Sequence, residues 1–473
     1  MTDRTSTDDR GVGHNQTNVD DRRRAGAATA RRLPFLFLVL EGERLLSGGA
    51  RYCLSRVVEI VIGNGSRRQA TREPTSDGDR LTIRVPSRVL SKQHARLRRT
   101  PAGWLLEDLK STNGTFVNGD AVANALLNRG DLIEMGRTFF TLQDMAAATD
   151  KGESAMDLDS NDLAAAPVAC RTLSPGFASD LSRFLAVVPT RLPIVLVGER
   201  GTGKEVLAQA IHTRSRPTGP FVAFNCSAVP AELVESELFG HVKGAFSGAV
   251  ADRLGHFRTA NGGTILLDEI PSAAQPVQQA LLRVLQQREV TPVGSSRAFP
   301  IDVRVVATSQ NLLEEMVAAR TFRADLADRL AGFVVRLLPL RERLVDLGLL
   351  VAHLLREQGV AEKDGPRLDP HASLKLLRYQ WPGNIRQLEL ALQRAWALSS
   401  EGLITEAALH DLPERVDNGV SKAKREDLRL ALIESLRICA GSVADAAKRL
   451  GKNRTVVYRL IREFGLNVKD FRR

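Results

Sequence analysis

Three glycines, at positions 198, 201 and 203, separate the apolar run Ile194 to Val197 from Lys204. Lacking a Cβ, they let backbone N–H groups converge on phosphate oxygens, and a helix starting near Lys204 would point its positive end at the same place. The segment Gly198-Glu199-Arg200-Gly201-Thr202-Gly203-Lys204-Glu205 therefore reads as a phosphate cradle, with ATP the expected ligand and Lys204 on the β- and γ-phosphates. The general pattern places Ser or Thr after the lysine to hold magnesium, whereas this chain has Glu205. A second apolar run, Thr264 to Leu267, ends in Asp268 and Glu269. Lying beside the first, it would set Asp268 to hold magnesium through water and Glu269 to polarise a water for in-line attack. Arg323 and Arg329 are candidates to reach a γ-phosphate bound by a neighbouring subunit, an arrangement that a ring would supply.

These groups need a scaffold, and beyond Leu173 strands alternate with helical segments. The runs Ile194 to Val197, Phe221 to Asn225, Thr264 to Leu267 and Val303 to Thr308 predict a parallel sheet covered by helices over residues 173–345. Residues 346–412 read as helices only. Between 33 and 145 short β-like runs recur (Phe35 to Leu40, Val57 to Ile62, Leu81 to Val85, Trp104 to Leu109, Thr115 to Val117, Phe139 to Leu142), which predicts an all-β sandwich. Residues 1–32 hold almost no large apolar side chains and are expected to be a disordered tail. The stretches 146–172 and 413–423 are expected to be linkers. A chain of 473 residues with 43% hydrophobic and 26% charged residues is thus expected to be multidomain and soluble.

Net charge is +11, and residues 421–473 hold 14 Lys and Arg against 6 Asp and Glu. That concentration predicts a polyanionic partner, nucleic acid before membrane. Apolar positions Leu428, Leu432 and Leu436, then Val443, Ala447 and Leu450, then Val457, Leu460 and Ile461 predict three short helices with Gly451 before the last, an all-α helix-turn-helix over 424–473. Its final helix would offer Arg454, Thr455, Tyr458, Arg459 and Arg462 to DNA phosphates or guanine edges. Four scattered cysteines argue against a zinc site or disulfide framework, and no window is apolar enough to cross a membrane. A cytoplasmic protein without a membrane partner is expected.

Over about residues 190–412 the chain resembles the AAA+ domain of bacterial sigma-54-dependent activators of the NtrC-like class. The resemblance runs through Glu237-Leu-Phe-Gly-His-Val-Lys-Gly-Ala-Phe-Ser-Gly-Ala249, the Asp268-Glu269 strand, Leu281-Leu-Arg-Val-Leu285, Phe322-Arg-Ala-Asp-Leu326, Pro339-Leu-Arg-Glu-Arg343 and Trp381-Pro-Gly-Asn-Ile-Arg386. In that family Glu commonly follows the phosphate-loop lysine, in agreement with Glu205. The resemblance implies that Lys204, Asp268 and Glu269 are the Walker residues and that Asn225 restrains the catalytic glutamate. It implies further that Arg323 and Arg329 act in trans in a ring, expected to be a hexamer, and that Arg386 senses nucleotide. The family's remodelling loop GAFTGA corresponds to Gly244, Ala245, Phe246, Ser247, Gly248 and Ala249, which would contact sigma-54 RNA polymerase. Where the family commonly has Ala-Thr-Asn this chain reads Ala307-Thr308-Ser309-Gln310, so Ser309 or Gln310 would take the sensor's place. The tail resembles the Fis-type domain that ends such activators.

The segment 33–143 resembles a forkhead-associated domain through Ser91-Lys92-Gln-His94, Leu109-Lys-Ser111-Thr-Asn113-Gly-Thr-Phe-Val-Asn118-Gly and Arg129-Gly-Asp-Leu-Ile-Glu-Met-Gly136. Such domains bind phosphothreonine peptides. Ser91 and Lys92 can contact phosphate, Asn113 and Asn118 can bond peptide backbone, and His94 is expected to pack the loop. Where the family has Gly-Arg, this chain has Gly63-Asn64, with Arg67 and Arg68 as possible replacements. The combined expectation is an ATP-dependent activator of sigma-54 RNA polymerase that binds upstream DNA and is gated by a Thr-phosphorylated protein or Ser/Thr kinase. The alternative is a DNA-binding repressor or regulator with weak ATPase that does not engage sigma-54.

Overall fold

The structure is a computed structural model that describes residues 32–146, 157–216, 218–410, 412, 419–450, 457, 461, 464, 466 and 468–471. The chain divides into two units, Met1–Asp411 and Leu412–Arg473. The expected tail lies outside the described residues except for Arg32, which opens the first strand.

The expected sandwich is present as a seven-stranded and a six-stranded sheet. Strand Arg32–Glu41 pairs antiparallel with Thr138–Ala146 on one side and Ala50–Cys53 on the other. In the second sheet Val57–Asn64 lies between Ala95–Thr100 and, in parallel, Gly78–Val85. Leu36, Leu38, Ile60, Ile62, Leu81, Ile83, Leu97 and Phe140 fill the interior between the sheets. Phe35, Phe37 and Val39 alternate with Leu36 and Leu38 and are equally buried, so this strand is covered on both faces. The outer cover includes helix Leu347–Glu357, where Gly348 sits against the carbonyls of Val39 and Gly48.

The nucleotide-binding part is a parallel sheet in the order Phe221–Asn225, Thr264–Asp268, Arg304–Ser309, Ile194–Val197, Phe333–Arg336. Alternation divides its side chains between two cores: Ile194, Leu196, Leu266 and Val306 pack with helices Pro175–Val187 and Lys204–Ser215. Val195, Val197, Ile265, Leu267 and Ala307 pack on the other face with Gln275–Gln287 and its neighbours. The last strand was not expected from sequence.

Residues 346–412 are not helices alone: Arg367–Leu368 and Leu403–Ile404 form a short parallel pair among the helices of the lid. Nor is 157–172 a free linker. Leu158–Asp159 adds an edge strand to Ala50–Cys53, because Arg68 binds Asp159 and Arg72 binds Asp157. Farther on, the buried Asp346 carboxylate accepts from the Thr172 hydroxyl and the Leu173 N–H. The sandwich also meets the lid directly, through Leu368 N–H to the Gly42 carbonyl at 2.7 Å and from Arg378 to the Asn118 carbonyl.

In the second unit helix Gly419–Ile438 begins inside the expected linker and is followed by Val443–Arg449. The turn between them uses Ala440 and Gly441 at φ 45° and 77°. Leu432, Leu436, Val443, Ala446, Ala447, Val457 and Ile461 form its core, six of them positions expected from periodicity. Arg454, Thr455, Tyr458, Arg459 and Arg462, the expected DNA-reading residues, lie outside the described residues. Among the described residues no helix is long and apolar enough to cross a membrane.

Candidate functional site

Strand Ile194–Val197 runs into the glycine loop, and helix Lys204–Ser215 starts immediately after Gly203. Gly201 and Gly203 adopt φ of 76° and 96°, a region closed to most L side chains, so glycine is required where the loop curls. Thr202 is buried and its hydroxyl donates to the Glu199 carbonyl at 2.8 Å, which fixes the curl. The Lys204 ammonium donates to the carbonyls of Gly198 and Glu199 at 2.7 and 3.0 Å. Burial pushes its pKa below the ordinary lysine value, while Asp268 and Glu269 oppose that shift. Glu205 is exposed in the helix's first turn, where its charge complements the helix dipole rather than holding a metal.

The lid closes over this loop. Asn384 donates to Glu199 and to the Arg200 carbonyl, and Ile385 N–H to the Gly201 carbonyl at 2.9 Å. Arg341 grips Glu199 through both oxygens; with Asn384 it holds that carboxyl down to about 2. Arg386 is exposed at the start of the same lid helix, with its Cβ against Gly201. Buried Trp381, donating to the Leu376 carbonyl, anchors the segment.

Parallel pairing sets the acidic strand end beside the loop strand's neighbour. Asp268 accepts from the Thr308 hydroxyl at 2.6 Å and from Asn225 at 3.2 Å. The expected direct contact of Asn225 with Glu269 is not made: Asn225 donates to Asp268, while its Oδ1 accepts from Ser227. Glu269, at φ 51°, is instead held by Arg200 at 3.2 Å and 3.3 Å and by Gln310 at 3.2 Å. Burial pushes its carboxyl up, but the Arg200 pair and the Ser227 and Gln310 bonds keep it below the ordinary glutamate value. Of the two sensor candidates Gln310 reaches the glutamate, whereas buried Ser309 donates to the Asn311 carbonyl. Sequence reading missed Thr308, Arg200 and Arg341. Only Thr308 carried a signal, a hydroxyl at the end of the adjacent strand. Beside Asp268, burial pushes the Cys226 thiol up to about 12, so it is no nucleophile at neutral pH.

Among the described residues no three His, Cys, Asp or Glu side chains cluster as a metal cage. Asp268 does fit magnesium, which takes one or two carboxylates together with phosphate oxygens and water. The curled glycine loop at a helix start, with Lys204 inside it, fits a triphosphate.

Arg323 is half-buried and pairs with Asp325, and Arg329 is exposed; helix Ala324–Leu330 ties this stretch to the core through Leu326, Ala327 and Leu330. The loop Gly244–Ala249 projects from the two-stranded ribbon of Gly240–His241 and Arg253–Leu254. It is closed by Gly244 N–H to the Ala249 carbonyl and opens at Gly244 and Gly248, where a Cβ would meet nothing. Phe246 is 39% exposed and touches His241 edge-on; Ser247 is exposed.

In the sandwich, Ser91 Oγ accepts from Thr112 N–H at 3.1 Å, and Asn113 donates to the Val89 carbonyl at 2.7 Å. Lys92 is exposed beside them. The Asn118 amide, expected to bond a peptide, is engaged within the sandwich: it donates to Asp131 and accepts from Leu132 N–H at the start of the adjacent strand. Arg68 is likewise excluded as a phosphate ligand by Glu41 and Asp159. His94 is fully buried; its Nδ1 accepts from Ser91 N–H, so Nε2 carries the proton toward the Gly114 carbonyl. Burial pushes its pKa below the ordinary value. The folded ring thus resists a proton that the unfolded chain accepts, and sandwich stability is expected to fall as pH drops below about 6.5. Comparing thermal midpoints at pH 8 and pH 5.5 against His94→Asn checks this. Equal pH dependence in the two proteins would refute it.

Three families match parts of the chain: Sigma-54 interaction domain over residues 172–336, AAA+ ATPase lid domain over 341–428 and FHA domain over 62–136. The transcriptional regulatory protein GlrR of Escherichia coli (strain K12) is 39% identical over 306 residues, covering 64% of this chain and 69% of that protein. The sigma54-dependent transcriptional activator SfnR of Pseudomonas putida is 45% identical over 226 residues, covering 47% and 62%. A crystal structure of NtrX from Brucella abortus in complex with ADP has 28% identity, covers 62% of this chain and 69% of that one, and superposes with a TM-score of 0.47. The chain belongs to the transcriptional regulators that carry a sigma-54 interaction domain, here an AAA+ ATPase with its lid, joined to a forkhead-associated domain.

Proposed function

We propose that this chain binds upstream DNA through residues 424–473, assembles as a hexameric ring and spends ATP to remodel the closed promoter complex of sigma-54 RNA polymerase. The observation that carries the reading is a single molecule that holds the Lys204 cradle and the Asp268-Glu269 pair together with an open Phe246 loop. Lys204 would move from the Gly198 and Glu199 carbonyls onto the β- and γ-phosphates. Asp268, held by Thr308 and Asn225, would hold magnesium through water. The positive charge of a magnesium held by Asp268 would offset charge developing on the phosphates. Glu269 would orient and deprotonate the attacking water once freed from Arg200. Arg323 and Arg329 would reach a neighbouring subunit's γ-phosphate from the surface, and Arg386 would report nucleotide to the lid. Phe246 and Ser247 would then push on sigma-54.

The amino-terminal sandwich would gate the ring in response to a Thr-phosphorylated protein, such as the target of a Ser/Thr kinase. Support comes from a continuous chain of contacts: Gly42 and Asn118 of the sandwich touch the lid, and the lid's Asn384 and Ile385 bind the phosphate loop.

Mixing the purified protein with sigma-54, ADP and aluminium fluoride is expected to give a stable complex by gel filtration, lost in Phe246→Ala while ATP turnover persists. Hydrolysis without any complex would overturn the activator reading in favour of a regulator that does not engage sigma-54.

A further inference from the structure

We propose that the Arg84 guanidinium supplies the phosphate contact that the Gly63-Asn64 strand end lacks, so that a phosphothreonine is read by Arg84, Ser91 and Lys92 together. The inference rests on the phosphothreonine reading of the sandwich given above. Strands Val57–Asn64 and Gly78–Val85 run parallel, and their register sets Arg84 directly opposite Gly63. From there the side chain crosses the strand end, and its Nη1 donates to the Lys92 carbonyl, one residue beyond Ser91. Gly63 makes room for this: a Cβ there would collide with the Lys92 carbonyl and press on Arg84 Nη1. Ser91 is tied to Thr112, and Asn113 to Val89, so the two loops that frame the phosphate position stand together over that strand end.

Charge accounting agrees with the same residue. Arg68 is bound to Glu41 and Asp159, Arg72 to Asp157, Arg80 to Glu59, and both Arg96 and Arg98 to Glu107. Arg84 has no carboxylate partner among the described residues. A guanidinium with N–H groups to spare, bonded to the backbone of Lys92 one residue beyond Ser91, suits a doubly charged phosphate, which arginine can bind in a two-pronged fashion. Asn64 has another use, since its Oδ1 accepts from Ser87 N–H and holds the turn that leads to Ser91. Arg67, the remaining candidate from sequence, donates to Gln69 on the exposed side of its loop.

The test measures fluorescence anisotropy of the full-length protein with a degenerate peptide library carrying a fixed phosphothreonine, against the same library unphosphorylated. The wild type is expected to prefer the phosphorylated library. Arg84→Gln is expected to reduce that preference about tenfold or more, comparable with Ser91→Ala, whereas Arg67→Gln retains it. A preference retained in Arg84→Gln overturns the assignment of Arg84 alone; a wild type without preference overturns the phosphothreonine reading as well. Should Arg84→Gln unfold, Arg84→Lys carries the test. Its preference must drop about threefold or more because an ammonium lacks the planar fork, and an unchanged value refutes the proposal.

Discussion

Glu269→Gln is expected to lower ATP turnover about 100-fold or more while nucleotide binding persists, because the amide keeps the shape but removes the proton acceptor. Lys204→Ala is expected to weaken binding itself. The two variants separate because their side chains do different things here: Lys204 lies inside the glycine loop, and Glu269 stands at the far strand end against Arg200 and Gln310. The carboxyl already sits below the ordinary glutamate value, so it is ionised throughout the neutral range. Steady-state hydrolysis and equilibrium binding of a fluorescent ATP analogue measure both variants. Turnover within tenfold of wild type in Glu269→Gln would remove the residue from the chemistry.

Much of that site was legible because its chemistry forces residue types into fixed places. Gly201 and Gly203 must be glycine where the loop curls, and Asp268 must end an apolar strand. The alternating cores follow from strands such as Ile194–Val197, whose four residues are all buried and divide between two faces. What escaped was set by side chains reaching across the fold. Glu269 meets Arg200, an arginine in the cradle itself, and Glu199 meets Arg341 and Asn384 from the lid. Nothing local in the sequence distinguishes these from solvated charges. The strands Gln69–Thr75 and Ala95–Thr100 escaped for a related reason: the first is an outer edge strand with little burial, and the second carries arginines that its neighbour's Glu107 neutralises. The carboxylate that Asn225 faces was likewise not legible, since strand register sets it opposite Asp268 rather than Glu269.

Residues 157–159, expected to be free linker, are held by charges, and removing one charge is expected to release them. Arg68 is 7% exposed and binds Asp159 through two nitrogens, Glu41 at 2.9 Å and the Ser47 carbonyl at 2.8 Å. Arg68→Ala leaves Glu41, itself only 3% exposed, buried without its main counter-charge. Breaking a buried pair in this way costs about 3–5 kcal/mol, far more than a surface pair. Burial already pushes the Glu41 pKa up, with Arg68 opposing it. In the variant that shift grows, and a carboxyl raised above its unfolded value of about 4.3 is favourable at low pH and unfavourable once it ionises. The penalty of Arg68→Ala should therefore be largest near pH 8 and shrink as pH falls and Glu41 takes a proton. Glu41→Gln in the same background should recover part of it. Hydrogen exchange at strand Ala50–Cys53, to which Leu158 and Asp159 pair, reads the loss directly. Protection within about 1 kcal/mol of wild type at pH 8 would mean that the strap is held by something other than this buried arginine.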